Sequence, residues 1–281
     1  MTISLLLALI PMMVGAYRLA RHVGARHPAM AFALFWVGLA CTLGLLVVRQ
    51  FPLHEQHLLR WPEYIYARDF IHLPFVSLLM GLAWGRLDDR SWKSLRLFFV
   101  VIAILALYNM RWAAYAFKYA PLDQDRDGFG IVGMSYRDTG GAACCATIAG
   151  YYGLGATEGD AAVLSLTRPY EGASAAGMVH ALRLILSQSG CEVDVAAPDW
   201  ADLADEKGMG ICLMARNVYG TDAVVFYGAN EQHVLIGDPR PGGGLIMMPR
   251  DQFLSCWTGI MIRVRAPFYV RPSLLTPPTW M

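Results

Sequence analysis

Four uncharged runs within residues 1–110 constrain this chain more than any other feature. They are Ile3–Tyr17, Ala29–Val48, Phe70–Gly85 and Leu97–Met110. A helix needs about 20 apolar residues to cross a bilayer. The second run has that length, and the others must extend into flanking residues, where arginine and lysine side chains can reach the interface. We therefore predict a membrane domain of about four helices in residues 1–119. The alternative is that one or two runs are buried helices of a soluble domain.

The composition supports this division. Apolar residues make up 56% of the chain and charged residues 16%, whereas soluble domains have about 45–50% and 25%. The excess lies in residues 1–110, and residues 120–265 are ordinary in composition. The formal net charge is +1 without a basic cluster, which argues against nucleic acid as a partner. The sequence has no phosphate-binding glycine loop, so no nucleotide is expected either.

The basic residues between the runs predict an orientation. No basic segment precedes the first run, which argues against a cleaved signal peptide. Positive charge is concentrated after the first and third runs, and cytoplasmic loops carry such an excess. The residues concerned are Arg18, Arg21, Arg26, Arg86, Arg90, Lys93 and Arg96. With four spans, the remainder of the chain lies outside the cytoplasm, as expected for a bacterial inner-membrane protein. Three spans would reverse the orientation.

An acidic linker, residues 120–133, follows the last run. Asp123, Asp125 and Asp127 have the alternate spacing of a calcium-binding loop, and Gly128 suits its sharp turn. The glutamate expected at the twelfth position is replaced by Met134. The linker is therefore either a weak Ca²⁺ site or a solvated acidic segment.

Residues 134–265 have the pattern of an α+β domain. Helical periodicity or capping signals mark Gly141–Tyr152, Ala156–Leu166 and Ser174–Ser187. Short apolar runs then predict strands at Glu192–Ala196, Ile211–Ala215, Ala223–Tyr227, Val234–Gly237, Leu245–Met248 and Ile260–Val264, with a short helix starting at Pro249. Helices followed by antiparallel strands are typical of α+β folds.

Five segments in this order carry a resemblance to a known family. They are DTGGAACCATIAGYYG, EGAS, VVFYG, GDPRPGG and DQFLSCWTG. Together they resemble the papain-like peptidases that process bacteriocins at double-glycine leaders. The resemblance covers almost the whole of residues 134–265. It implies a papain-like fold, with a cysteine nucleophile at a helix N-terminus, a histidine base, an aspartate that orients the histidine, and a glutamine in the oxyanion hole.

The same resemblance implies which residues occupy those catalytic positions. Counting back from Tyr152 and Gly153, the cysteine position falls on Gly140 and the glutamine position on Met134. The histidine position falls on Asp222, and Asp238 retains the aspartate. We therefore expect a peptidase-like domain without peptidase chemistry.

A shifted catalytic site is the alternative. Cys144 and Cys145 lie four and five residues inside the helix that starts near Gly140, and Cys144 is about 6 Å too far along its axis. His233 could serve as a base, but it shares a predicted strand with Asp238 and faces the other side of it. Because this helix has few other polar residues, the two cysteines are better explained as small core residues.

Other candidate ligands are less distinctive. Cys191 and Cys212 could form a disulfide or remain free thiols. His54, His57 and His72 could form a site at the membrane edge, but no acidic or cysteine partner recurs at ligand spacing.

The sequence thus predicts a chain anchored in a lipid bilayer with a degenerate peptidase domain. Its expected partners are a peptide or other subunits of a membrane complex. The proline-rich tail, residues 266–281, lacks a core pattern and could lie along a neighbouring subunit. An active membrane-bound cysteine peptidase remains the second hypothesis.

Overall fold

A computed structural model of the chain describes residues 2–48, 51–55, 57–58, 64–68, 70–86, 100–101, 104, 111–206, 208–216 and 220–267. The chain divides into two compact units, Met1–Arg111 and Trp112–Met281.

The first unit is helical. Its helices are α1 (Thr2–Arg26), α2 (Pro28–Val48), α3 (Pro52–Glu55), α4 (Tyr64–Ala67) and α5 (Leu73–Arg86). Among the described residues, one helix is long and apolar enough to cross a membrane, at Pro28–Leu45. The third predicted span corresponds to α5, with 14 residues, and most of the fourth lies outside the described residues. A four-span anchor therefore stays a prediction.

Glycines bring α1 and α5 into backbone contact. A Cβ added to Gly24 would lie 2.8 Å from the Leu82 carbonyl oxygen, and one added to Gly81 would collide with the Tyr17 carbonyl oxygen. One added to Gly85 would collide with the Arg21 carbonyl oxygen. Gly81 lies against Tyr17 and Ala20, and Gly85, one turn later, lies against Arg21 and Ala25, so α1 and α5 run parallel.

A buried ion pair links the two short helices of the first unit. The Glu55 carboxylate, 1% exposed, accepts hydrogen bonds from the Arg68 guanidinium. The Tyr64 hydroxyl donates a third bond to it at 3.1 Å. The charge of Glu55 is thus paired where water is excluded, as buried charges require.

The second unit starts with helices and ends with a sheet. Its helices are α6 (Arg111–Tyr119), α7 (Gly140–Tyr151), α8 (Glu158–Leu164), α9 (Ala175–Ile185), α10 (Trp200–Asp205) and α11 (Arg250–Cys256). The strands are β1 (Glu192–Ala196), β2 (Met209–Arg216), β3 (Gly220–Ala229), β4 (His233–Asp238), β5 (Gly244–Pro249) and β6 (Trp257–Arg265). They pair antiparallel in the order β1-β6-β2-β3-β4-β5. The predicted α+β order is confirmed.

The central helix α7 consists mostly of small residues because it is almost entirely buried. Eight of its residues are buried, and the Cys144 thiol lies 3.4 Å from the Ala223 carbonyl oxygen of β3. On β3, Val224 and Phe226 belong instead to a core cluster with Leu203 of α10 and Phe253 of α11. Because side chains alternate along a strand, the sheet lies between α7 and these two short helices.

Candidate functional site

A narrow pocket lies where the N-terminus of α7 meets the ends of β3 and β4. The pocket has a volume of about 40 Å³, which is room for only a few water molecules. Its lining includes Met134, Gly140 and Asp222, together with Pro239, which directly follows Asp238. Three of the four positions that the family pattern assigns to catalysis therefore line one pocket, and the fourth adjoins it.

Gly140 is the first residue of α7 and leaves space for a side chain. A Cβ added there would lie 3.5 Å from Met134 Sδ and 4.0 Å from Pro239 Cγ, both ordinary contacts. The next residue differs, because a Cβ on Gly141 would lie 2.8 Å from Met178 Sδ. A side chain at position 141 would therefore have to displace Met178, whereas position 140 has room for one.

Met134 is held firmly at the pocket wall. Its backbone N–H donates to the Pro239 carbonyl oxygen at 2.8 Å. The following residue, Ser135, donates from its backbone and its hydroxyl to Glu158, whose side chain is fully buried. A thioether has no hydrogen to donate, so Met134 cannot stabilise an oxyanion as an amide side chain does.

Asp238 is paired with an arginine. Its side chain is 4% exposed, and Arg240 Nε donates to both carboxylate oxygens at 2.9 Å. The hydrogen bond to Asp238 is the main cause of a raised pKa for the Arg240 guanidinium, and the charge of Asp222 adds to it. A guanidinium keeps its proton at neutral pH, so this cation cannot act as a general base.

The fallback residues lie outside the pocket. Cys144 and Cys145 are fully buried, and burial raises the pKa of both thiols, whereas a nucleophilic cysteine needs a lowered pKa. His233 begins β4 and Asp238 ends it, so they are about 16 Å apart along the strand. None of the three lines the pocket.

Three further residues at the pocket were not singled out as site residues from the sequence. Arg137 and Tyr170 line it, and Arg240 neutralises Asp238. The sequence did contain a signal for the pairing of Arg240 with Asp238, because the basic residue follows the aspartate two positions later in Asp-Pro-Arg. Nothing in the local pattern distinguished Arg137 or Tyr170 from loop residues.

The proposed metal ligands do not converge. The structure gathers no group of three or more histidine, cysteine or acidic residues able to hold a metal ion in the part of the chain that it describes. Asp127 Oδ1 instead accepts backbone hydrogen bonds from Phe129 and Ile131, at 2.9 and 2.8 Å. Calcium binding by Asp123, Asp125 and Asp127 stays a prediction. All six cysteines are free, including Cys191 and Cys212.

A central helix that starts at a pocket and packs on an antiparallel sheet defines a papain-like, cysteine-peptidase-type domain. Residues 131–267 match the model of the peptidase C39 family, so this part of the chain is similar to that family. No curated protein matches the sequence.

Solved structures of peptidase domains are also similar to this chain. One is the peptidase domain of Streptococcus ComA, a bi-functional ABC transporter involved in a quorum-sensing pathway. It is 25% identical over 50% of this chain and 99% of its own, with a TM-score of 0.44. The peptidase domain of Streptococcus mutans ComA is 25% identical over 50% of this chain and 100% of its own, with a TM-score of 0.38. A double glycine motif protease from an AMS/PCAT transporter, in complex with the leader peptide, is 21% identical over 52% of this chain and 98% of its own. Its TM-score is 0.42.

Proposed function

We propose that this protein is a membrane-anchored peptidase C39-type domain that binds a peptide or a partner subunit without cleaving it. The binding site is the pocket at the start of α7, called the cleft below. One observation carries the proposal. The pocket at the start of α7 contains Gly140, Met134 and Asp222, and the remaining aspartate is neutralised by Arg240.

The chemistry of amide hydrolysis explains the consequence. It requires a nucleophile, a base that accepts and returns a proton, and donors for the oxyanion. Gly140 offers no nucleophile, Met134 offers no donor, and the carboxylate of Asp222 cannot replace an imidazole that donates and accepts. What remains is a peptidase framework, whose cleft can hold a chain but cannot cut it.

The first unit supports attachment to a bilayer. Helix α2 exposes large apolar side chains, including Phe32, Trp36 and Val37, which a lipid environment would cover. The glycine contacts between α1 and α5 are also typical of helices that pack inside membranes. Positive charge marks the loops predicted to be cytoplasmic. We therefore place the peptidase-like domain outside the cytoplasm, at a bacterial inner membrane.

Cleavage assays test the loss of catalysis. We expect the full-length protein in detergent to leave synthetic peptides that contain Gly-Gly intact, as measured by mass spectrometry. The variant Met134→Gln/Gly140→Cys/Asp222→His/Arg240→Ser restores the family pattern and frees Asp238. It should gain cleavage that iodoacetamide blocks.

Binding is tested separately with the same peptides. Fluorescence anisotropy should detect binding to the wild-type protein and its loss in Gly140→Trp, which fills the pocket. Gly128→Trp is the control, because a Cβ added there meets nothing within 4 Å. Equal binding by both variants would contradict a role for the cleft.

The same assays address the alternative, an active peptidase that uses Cys144 or Cys145 with His233. Cleavage by the wild-type protein that is lost in Cys144→Ala or Cys145→Ala would establish that alternative and overturn our proposal. The complete burial of both thiols counts against it.

A further inference from the structure

A turn at the rim of the pocket presents a tyrosine to solvent in a costly backbone conformation. Tyr170 is 95% exposed and has a φ of 66°, in the left-handed region that non-glycine residues seldom adopt. Two backbone hydrogen bonds between Arg168 and Gly172, at 3.1 and 2.9 Å, close the turn. Such a conformation persists only where the surroundings enforce it.

Asp138 holds the turn from the α7 side. Its Oδ2 accepts a hydrogen bond from the Tyr170 backbone N–H at 3.2 Å. Its carbonyl oxygen lies 3.2 Å from the position of a Cβ added to Gly172. Asp138 also lines the pocket and immediately precedes Thr139, the residue before α7. One residue therefore joins the turn to the start of the central helix.

Tyr119 in turn holds Asp138. Its hydroxyl donates to the same Oδ2 at 2.7 Å, a short, charge-assisted bond, and its side chain is fully buried. Burial and the bond to Asp138 raise the pKa of the Tyr119 hydroxyl, so it remains a donor at neutral pH. Tyr119 is the last residue of α6.

The end of α6 is itself fixed within this unit. The Lys118 ammonium lies 4.2 Å from the centre of the Tyr136 ring. The Gly159 backbone N–H donates to the Leu122 carbonyl oxygen at 2.8 Å, and a Cβ on Gly159 would collide with the Ala120 carbonyl oxygen. A displacement of α6 would therefore move Tyr119.

We propose that Tyr119 and Asp138 are positioning residues that hold the Tyr170 turn at the cleft rim and so link α6 to access to the cleft. While the bond between Tyr119 and Asp138 is intact, Tyr170 points to solvent and the rim stays in place. A movement of α6 that breaks this bond releases the turn. The role of the cleft in binding rests on the proposed function. The link between α6 and the Tyr170 turn, however, can be measured without a ligand.

Hydrogen–deuterium exchange on the full-length protein in detergent tests the link. In Tyr119→Phe we expect the Tyr170 and Gly172 amides to exchange at least about tenfold faster, because local opening is easier, while α7 keeps its protection. Asp138→Ala should release the same turn. Tyr136→Phe is the matched control, because the Tyr136 hydroxyl has no hydrogen bond among the described residues. Unchanged exchange of the turn in Tyr119→Phe would overturn the proposal.

A rescue separates positioning from general destabilisation. Asparagine tolerates the left-handed conformation better than tyrosine. In a Tyr170→Asn background, adding Tyr119→Phe should therefore change Gly172 exchange by less than about twofold. An undiminished effect would mean that Tyr119 acts on the whole domain, against the proposal.

Access to the cleft is measured with a reporter thiol, introduced by Gly140→Cys. In that background we expect Tyr119→Phe to change the alkylation rate of the introduced thiol at least about fivefold, while Tyr136→Phe leaves it unchanged. If Tyr119→Phe speeds amide exchange in the turn but leaves the alkylation rate of the introduced thiol unaltered, the turn does not control access to the cleft. Failure of peptide binding with these results intact would instead overturn the proposed function alone.

Discussion

The carboxylate of Asp238 is buried, and its chemical role depends on its hydrogen-bond partner. In the family pattern, an aspartate at this position orients an imidazole, which titrates near neutral pH. Here the partner is Arg240, whose guanidinium is permanently charged. Asp222 lies close enough to influence the pKa of that guanidinium. The buried carboxylate of Asp238 is therefore paired with a cation that does not exchange protons near neutral pH.

Removing Arg240 should destabilise the fold. Arg240→Ala leaves the carboxylate of Asp238 buried without a counter-charge, which we expect to cost about 1–2 kcal/mol of unfolding free energy. Arg265→Ala is the control, because its partner Asp194, 3.7 Å away, is 34% exposed whereas Asp238 is 4% exposed, and it should cost less than about 0.5 kcal/mol. Thermal unfolding followed by tryptophan fluorescence measures both. Equal losses would argue against a special role for Asp238.

The buried thiols predict an alkaline limit to stability. Burial raises the pKa of Cys144, Cys145 and Cys212 above the ordinary value of 9.0. The folded protein thus keeps protons that the unfolded chain loses above pH 9, so the unfolding free energy should fall as pH rises past that value.

Two measurements check this prediction. The unfolding temperature should decrease above pH 9, and less steeply in Cys145→Ala. At pH 8, iodoacetamide should modify the partly exposed Cys191 and Cys256 well before Cys144 or Cys145. Rapid labelling of Cys144 in the folded protein would contradict both the burial and the raised pKa.

At the scale of secondary-structure elements, local sequence signals explain several features of the fold. The small residues of α7 follow from its burial, and Thr157 with Asp160 forms the complete capping box of α8. The family spacing also singled out Met134, Gly140 and Asp222, which line one pocket, and their catalytic assignment stays a prediction. It did not indicate that β6 inserts between β1 and β2, because those pairings join distant segments. The Asp238–Arg240 pair was likewise hidden, since it depends on how the chain turns at Pro239.

The acidic linker shows a similar limit. Its aspartate spacing predicts metal ligands, which stays a prediction, and Asp127 also accepts hydrogen bonds from its own turn. Arg126, placed between two aspartates, donates to the Ala146 carbonyl oxygen of α7 at 3.1 Å and lies against Gly150. Spacing alone does not reveal whether carboxylates point at one cation or at the neighbouring backbone.

The packing of α1 on α5 gives a prediction for the first unit. In Gly81→Ala the new methyl group would collide with the Tyr17 carbonyl oxygen, so the helices must separate, at a cost of about 1–3 kcal/mol. Gly44→Ala in α2 adds the same group where nothing lies within 4 Å and should be neutral. Thermal unfolding in mild detergent, read by circular dichroism, distinguishes the two. Equal unfolding temperatures would contradict the close contact.

For the whole molecule, the number of spans decides which compartment the cleft faces. The basic residues predict that the loop between the third and fourth runs is cytoplasmic. With a fourth span, the peptidase-like domain then lies on the opposite side. If residues 97–119 do not cross, the domain shares the compartment of that loop, and any peptide in the cleft comes from the cytoplasm.

Labelling of spheroplasts can decide between these arrangements. In a bacterial host, a membrane-impermeant maleimide should label Cys256 of the intact protein, because that thiol is partly exposed in the domain placed outside. Ser91→Cys provides the control. It lies outside the described residues, in the predicted cytoplasmic loop, and should react only after lysis. If both thiols require lysis, the fourth run does not cross the membrane, and a partner for the cleft must be sought inside the cell.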